Sequence, residues 1–78
     1  MTIDGRFMQP PEPLERTLAA LEDLAVGDEL TLLVNHRPEP LLFLLEDAGF
    51  VWQEAVLKGG TYELRIRHAP PGPRASTP

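Results

Sequence analysis

The chain has no cysteine. It therefore holds no disulfide, builds no cysteine-ligated metal cluster and performs no thiol chemistry. Serine occurs only at Ser76, close to the C-terminus, so no serine nucleophile with a histidine and a carboxylate can be assembled in a folded region. Basic residues are few: seven against twelve acidic ones, for a net charge of −5. A surface of that sign repels phosphate backbones and anionic lipid, which argues against nucleic-acid and membrane partners. The longest apolar run, residues 41–45, is far too short to span a bilayer. The first seven residues lack the charged-then-apolar pattern of a secretory signal. These absences together point to a cytoplasmic protein. Glycine-rich phosphate loops are missing as well, since Gly59-Gly60 is an isolated pair with the character of a tight turn.

What is present fits one small domain. Seventy-eight residues with 42% hydrophobic content allow a single modest core. Residues 69–78 contain four prolines and almost nothing to bury, and read as a disordered tail behind a domain over residues 1–68.

Residues 2–8 read as a short strand with Ile3 inward. Prolines at 11 and 13 suit the first turn of a helix, where no intrahelical N–H bond is lost. That helix is expected over about residues 11–24, its buried stripe formed by Leu14, Leu18, Leu21 and Ala25 with Leu24 alongside, and Gly27 as its stop. Residues 28–35 alternate as a strand with Leu30, Leu32 and Val34 on one face. A loop at 36–40 leads to a second helix, opened by Pro40, with Leu41, Leu44, Leu45 and Ala48 as its core stripe. Residues 50–57 and 61–67 form a hairpin about Lys58-Gly59-Gly60, with Trp52 in the core. Tyr62, Leu64 and Ile66 alternate with Glu63, Arg65 and Arg67. The order β-α-β-α-β-β predicts a two-layer α/β sandwich: a mixed four-stranded sheet, two helices on one face, the other face open.

Ile3-Asp4 followed by Pro10-Pro11-Glu12-Pro13, and the segment Asn35-His36-Arg37-Pro38-Glu39-Pro40-Leu41, are the features that carry a family likeness. In that order the chain resembles the TusA-like (SirA-like) fold, in an uncharacterised domain-of-unknown-function branch. The resemblance implies the same two-layer sandwich. The sulfur-relay members resemble this chain in scaffold but carry a Cys-Pro-x-Pro motif whose cysteine holds a persulfide. Pro10 stands at that position here, without a nucleophile or a ligand atom. The implied role is a non-catalytic binding or adaptor module, not an enzyme and not a sulfur transferase, with no cofactor. The resemblance further implies a protein partner of the haemerythrin-like or sulfur- and redox-related kind.

Several residues are candidates for contact with a ligand or partner. His36 lies between a strand end and a helix start, where α/β folds often place binding groups. It is the centre of the alternative reading, a small-ligand or metal-binding domain, and the only plausible metal ligand. Asp4, Glu12 and Glu39 could supply carboxylates if the loops converge, which sequence spacing does not show. Asp4 and Arg6 either orient a ligand or fix the end of the first strand. Arg65 and Arg67 are expected on the open sheet face, and His68 in solvent. On a helical wheel Phe43 falls opposite the core stripe of the second helix with Leu42 at its flank, an apolar pair available as a contact surface unless Phe7 or Met8 covers it.

Overall fold

The structure is a computed structural model describing residues 1–9 and 12–70. The elements run β1 (Thr2–Asp4), α1 (Glu12–Glu22), β2 (Leu30–Val34), α2 (Glu39–Asp47), β3 (Phe50–Val56) and β4 (Tyr62–His68). They form one four-stranded sheet in the order β1-β2-β4-β3. β1 is parallel to β2, while β4 is antiparallel to both β2 and β3. β3 consequently runs in the same direction as β1 and β2, and α2 crosses over β4 to reach it. The mixed α/β sandwich read from the sequence is the fold observed.

Strand alternation explains why both helices share a face. Leu30, Leu32 and Val34 on β2 and Leu64 and Ile66 on β4 are all buried, and the register sets Leu30 opposite Ile66 and Leu32 opposite Leu64. Leu21 of α1 and Leu41, Leu42 and Leu45 of α2 complete the same cluster, with Ile3, Phe50, Trp52 and Tyr62 packed at its margin. The opposite face carries Thr31, Gln53, Arg65 and Arg67 and is left to solvent. No described helix is long and apolar enough to cross a membrane.

Some boundaries and faces differ from expectation. β1 stops at Asp4, because a turn begins at Gly5 and Met8 N–H donates to the Gly5 carbonyl (3.3 Å). α1 ends at Glu22; Asp23 and Leu24 N–H groups bond to carbonyls three residues back, at Ala20 and Leu21. Ala25 is exposed, and Gly27 belongs to a separate turn closed by Asp28 N–H on the Ala25 carbonyl (3.0 Å). α2 begins at Glu39, with Pro38 as its N-cap and Pro40 inside the first turn. The larger change is a rotation of α2. Leu42, expected at the exposed flank, is 6% exposed and in the core, whereas Leu44 is 42% exposed. α2 packs on β3, and Trp52 of β3 packs against the core cluster that contains Leu42. His68, expected in solvent, is partly buried: its Nε2 donates to the Leu24 carbonyl at 2.7 Å and its ring lies 4.6 Å from that of Phe50. Ala69 is still tied, through its N–H to the Gly49 carbonyl (3.0 Å). Residues 71–78 of the expected tail lie outside the described residues.

One core residue works against the fold. Thr17 of α1 is wholly buried, and its Oγ1 has no hydrogen-bond partner among the described residues. Burying an unpaired hydroxyl costs free energy that an isosteric methyl avoids. Thr17→Val should therefore raise unfolding free energy by about 1 kcal/mol, measured by urea denaturation; a loss of stability would show that the hydroxyl has a partner in solution.

Candidate functional site

The two parallel helices begin at the same end of the sheet, above the C-terminal end of β2. Between their first turns lies a cleft of about 340 Å³. Pro13 and Leu14 of α1 form one wall and Pro38, Pro40 and Leu41 the other; Leu32 and Val34 lie beneath, with His36 and Arg37 completing the lining. The local sequence dictates this shape. Proline rings at 13, 38 and 40 present apolar, rigid edges where helix openings usually present polar caps, and no side chain caps α2.

Gly5 lets the wall close. It is buried beneath the start of α1, and its N–H donates to the Leu33 carbonyl at 2.7 Å. A Cβ at this position would sit 3.2 Å from Pro13 Cβ, 3.3 Å from the Leu33 oxygen and 3.4 Å from Val34 Cγ1. Pro13 and Val34 both line the cleft, so the missing side chain of residue 5 sets how closely α1 approaches the sheet.

A polar clamp fixes the other side. Glu54 lies late in edge strand β3, opposite Leu64 and on the helix-covered face. Its carboxylate accepts from Arg37 Nε (3.2 Å) and Nη2 (3.1 Å), from Trp52 Nε1 (3.0 Å) and from the Tyr62 hydroxyl. Arg37 Nη1 donates in turn to Glu39 (3.0 Å). The loop at 35–38 is thereby tied to a strand seventeen residues further along the chain. Donation first from Arg37, then from Tyr62 and Trp52, holds the Glu54 carboxyl at about 2, against an ordinary value of 4.5. The same contacts raise Arg37, and the Glu54 carboxylate raises Tyr62. Because Arg37 is engaged by two carboxylates, it orders the loop and is not a free cation for a ligand.

The remaining candidates separate. Asp4 and Arg6 are bound to each other, Nε to Oδ1 at 2.9 Å and Nη2 to Oδ2 at 2.7 Å, and those bonds hold Asp4 at about 2. Asn35 Nδ2 donates to the Arg6 carbonyl (2.7 Å), joining this turn to the end of β2. Glu12 pairs with Arg16 one helical turn on (3.2 Å). Pro10 lies outside the described residues. Arg65 reaches Gln53 (3.4 Å) and Glu63 (3.9 Å) on the open face, where Arg67 stands beside Val51. Phe7 is 87% exposed and close to Arg6, so it does not cover Phe43, which is 73% exposed. His36 alone of the polar candidates reaches the cleft. Among the described residues no three His, Asp or Glu side chains come together as a metal site.

Sequence reading missed Arg37, Glu54 and Tyr62. The available signal was a broken alternation: inward positions on β3 read Phe50, Trp52, Glu54, Val56, and a charge in that series calls for a partner.

Two outcomes test this construction. Glu54 and Asp4 have folded-state pKa values below their ordinary ones, so the stability they contribute is present above about pH 4.5 and is lost as pH falls toward 2. Melting temperature should fall across that window, and Glu54→Gln should flatten the fall, leaving the part due to Asp4. An unchanged acid profile in the variant would remove the clamp. Gly5→Ala should destabilise the domain by about 1–3 kcal/mol through overpacking and shift the NMR signals of Pro13 and Val34; wild-type stability would mean that α1 yields freely.

The fold has a counterpart among solved structures. Among curated proteins none matches the chain. The crystal structure of a SirA-like protein from Desulfitobacterium hafniense is similar, with a TM-score of 0.76 and 25% identity over 87% of this chain and 96% of that one. The family described as Uncharacterized conserved protein (DUF2249) matches residues 2–68, which is the whole of the sheet and both helices. The chain belongs to the DUF2249 family and has a SirA-like fold.

Proposed function

We propose that this chain is a cytoplasmic, non-catalytic binding or adaptor module, not an enzyme and not a sulfur transferase, and that the cleft between the helix openings is where it receives an apolar side chain of a protein partner. The cleft carries the reading: a preformed, largely apolar hollow walled by prolines and leucines in a chain that has no thiol. Hollows of this size and lining suit a hydrophobic anchor. The fixed charges around it support binding over chemistry, since Asp4 is bound to Arg6 and Glu54 and Glu39 to Arg37. General acid–base work needs a titratable group free to exchange a proton with a bound substrate, and His36 is the one polar candidate at the cleft that is not held in an ion pair among the described residues.

His36 in the cleft wall favours a second reading, a small apolar ligand held by the same hollow with the imidazole at its rim. Among the described residues no group of three or more His, Asp or Glu side chains forms there to hold a metal.

Filling the cleft discriminates. Leu14 is half-buried at its wall, so Leu14→Trp should occupy the hollow while the far-UV circular dichroism stays that of the wild type. Proteins co-purifying with the wild type from its source organism, a haemerythrin-like protein among the classes to look for, should be absent from the variant. Equal recovery with both would discard the cleft as the seat. For the small-ligand reading, ligand-induced rises in melting temperature should vanish in both Leu14→Trp and His36→Ala.

A further inference from the structure

Helix α2 carries its largest apolar side chain on the outside. Phe43 is 73% exposed and its neighbour Leu44 42% exposed, on a helix whose inward face is already filled by Leu41, Leu42 and Leu45. The two form a ridge between shallow hollows. On the α1 side, a hollow of about 290 Å³ lies between Leu44 and Leu18, with Glu22 at its edge. On the β3 side, one of about 180 Å³ lies between Phe43 and Trp52, with Glu46 at its edge.

The charge around this ridge that has no ion-pair partner among the described residues is acidic, since Arg37, which lines the β3-side hollow, is held by Glu39 and Glu54. α2 contains no basic residue, and neither helix has one in its last turn. Glu22, Glu46 and Asp47 stand at or near the helix C-termini, where the backbone dipole is already negative and carboxylates are disfavoured. Among the described residues none of the three forms an ion pair. An apolar ridge in an uncompensated anionic field is complementary to a segment that is apolar along one stripe and cationic beside it.

We propose that the outer face of α2 docks a basic amphipathic helix of a partner protein. Its apolar side chains settle into the hollows beside Phe43 and Leu44, and its lysines or arginines meet Glu22, Glu46 and Asp47. A second copy of this chain would set the same acidic rim against itself, each copy bringing a net charge of −5. An anionic membrane is repelled in the same way. The β3-side hollow and the cleft at the helix openings have Arg37 in common, and Phe43, Leu44, Glu22, Glu46 and Asp47 belong to the outer face alone.

Trp52 is the chain's one tryptophan and lines the hollow beside Phe43, so its fluorescence reports docking. Two synthetic amphipathic peptides, each about four helical turns long with the same leucine stripe, serve as probes: one flanked by lysine, the other by glutamate. The lysine peptide should bind wild-type protein and shift Trp52 emission, with the glutamate peptide at least about tenfold weaker. Phe43→Ser should weaken the lysine peptide about tenfold or more at unchanged melting temperature. Glu46→Lys combined with Asp47→Lys should erase the preference between the peptides. The proposal is overturned if the lysine peptide does not bind, if both peptides bind alike, or if Phe43→Ser binds as the wild type does, which would reduce the attraction to net charge. A concentration-dependent dimer that Phe43→Ser dissolves would overturn it in favour of a second copy.

Discussion

Leu30, Leu32 and Val34 of β2 and Leu64 and Ile66 of β4 project into one layer, and everything above the sheet packs on that layer. With no disulfide available, this alternation is what holds the domain together. It also determines where binding can occur. Because β1, β2 and β3 run the same way, both connecting helices start at the same end, and their proline-flanked openings meet over the end of β2. The cleft is thus a consequence of strand direction combined with apolar helix openings. A capped opening, with a serine or aspartate bonding the first N–H groups, would have placed polar side chains where Pro38 and Pro40 now stand.

The second constraint is electrostatic. A loop between a strand and a helix has no ladder of its own to hold it. Here Arg37 gives the loop at 35–38 a fixed geometry through Glu54 on the edge strand and Glu39 on α2, and the indole and phenol of Trp52 and Tyr62 take up the remaining acceptor capacity of Glu54. Exposed ion pairs in general add little to stability. The value of this one is geometric: one guanidinium joins α2, the loop and β3, and keeps His36 and Pro38 in the cleft wall. Asp4, Arg6 and Asn35 do the same for the opposite loop, where Gly5 supplies the close approach.

The fold was legible because its signals are periodic. Alternation along residues 30–34 and 62–66 and the glycine pair at the hairpin identify the strands, and the element order leaves few ways to connect them. The rotation of α2 was not legible. Leu41, Leu42, Leu44 and Leu45 offer two apolar faces of similar breadth, and the one containing Leu42 is buried in the cluster against which Trp52 of β3 packs. Thr17 was passed over because a buried stripe is read from aliphatic residues, and its methyl group fills a core position that its hydroxyl conceals. Of the site, His36 was legible from its place in the loop. The clamp was not, since Arg37 and Glu54 meet only after α2 has crossed over β4, and no local spacing encodes that meeting.

The two ends of the helix layer differ in character, and the difference follows from helix polarity. At the N-terminal end the partial positive charge of the backbone is met by Glu12 and Glu39, each also paired with an arginine, Arg16 and Arg37. That end is electrostatically complete, and what it leaves free is apolar surface. At the C-terminal end the partial negative charge is reinforced by Glu22, Glu46 and Asp47, beside the exposed Phe43 and Leu44. A fold under selection for stability alone would favour lysine or arginine there. Retaining carboxylates at the negative pole lowers helix stability and raises the attraction for a cation from outside, so the same residues that are unfavourable to the isolated domain are favourable to a complex.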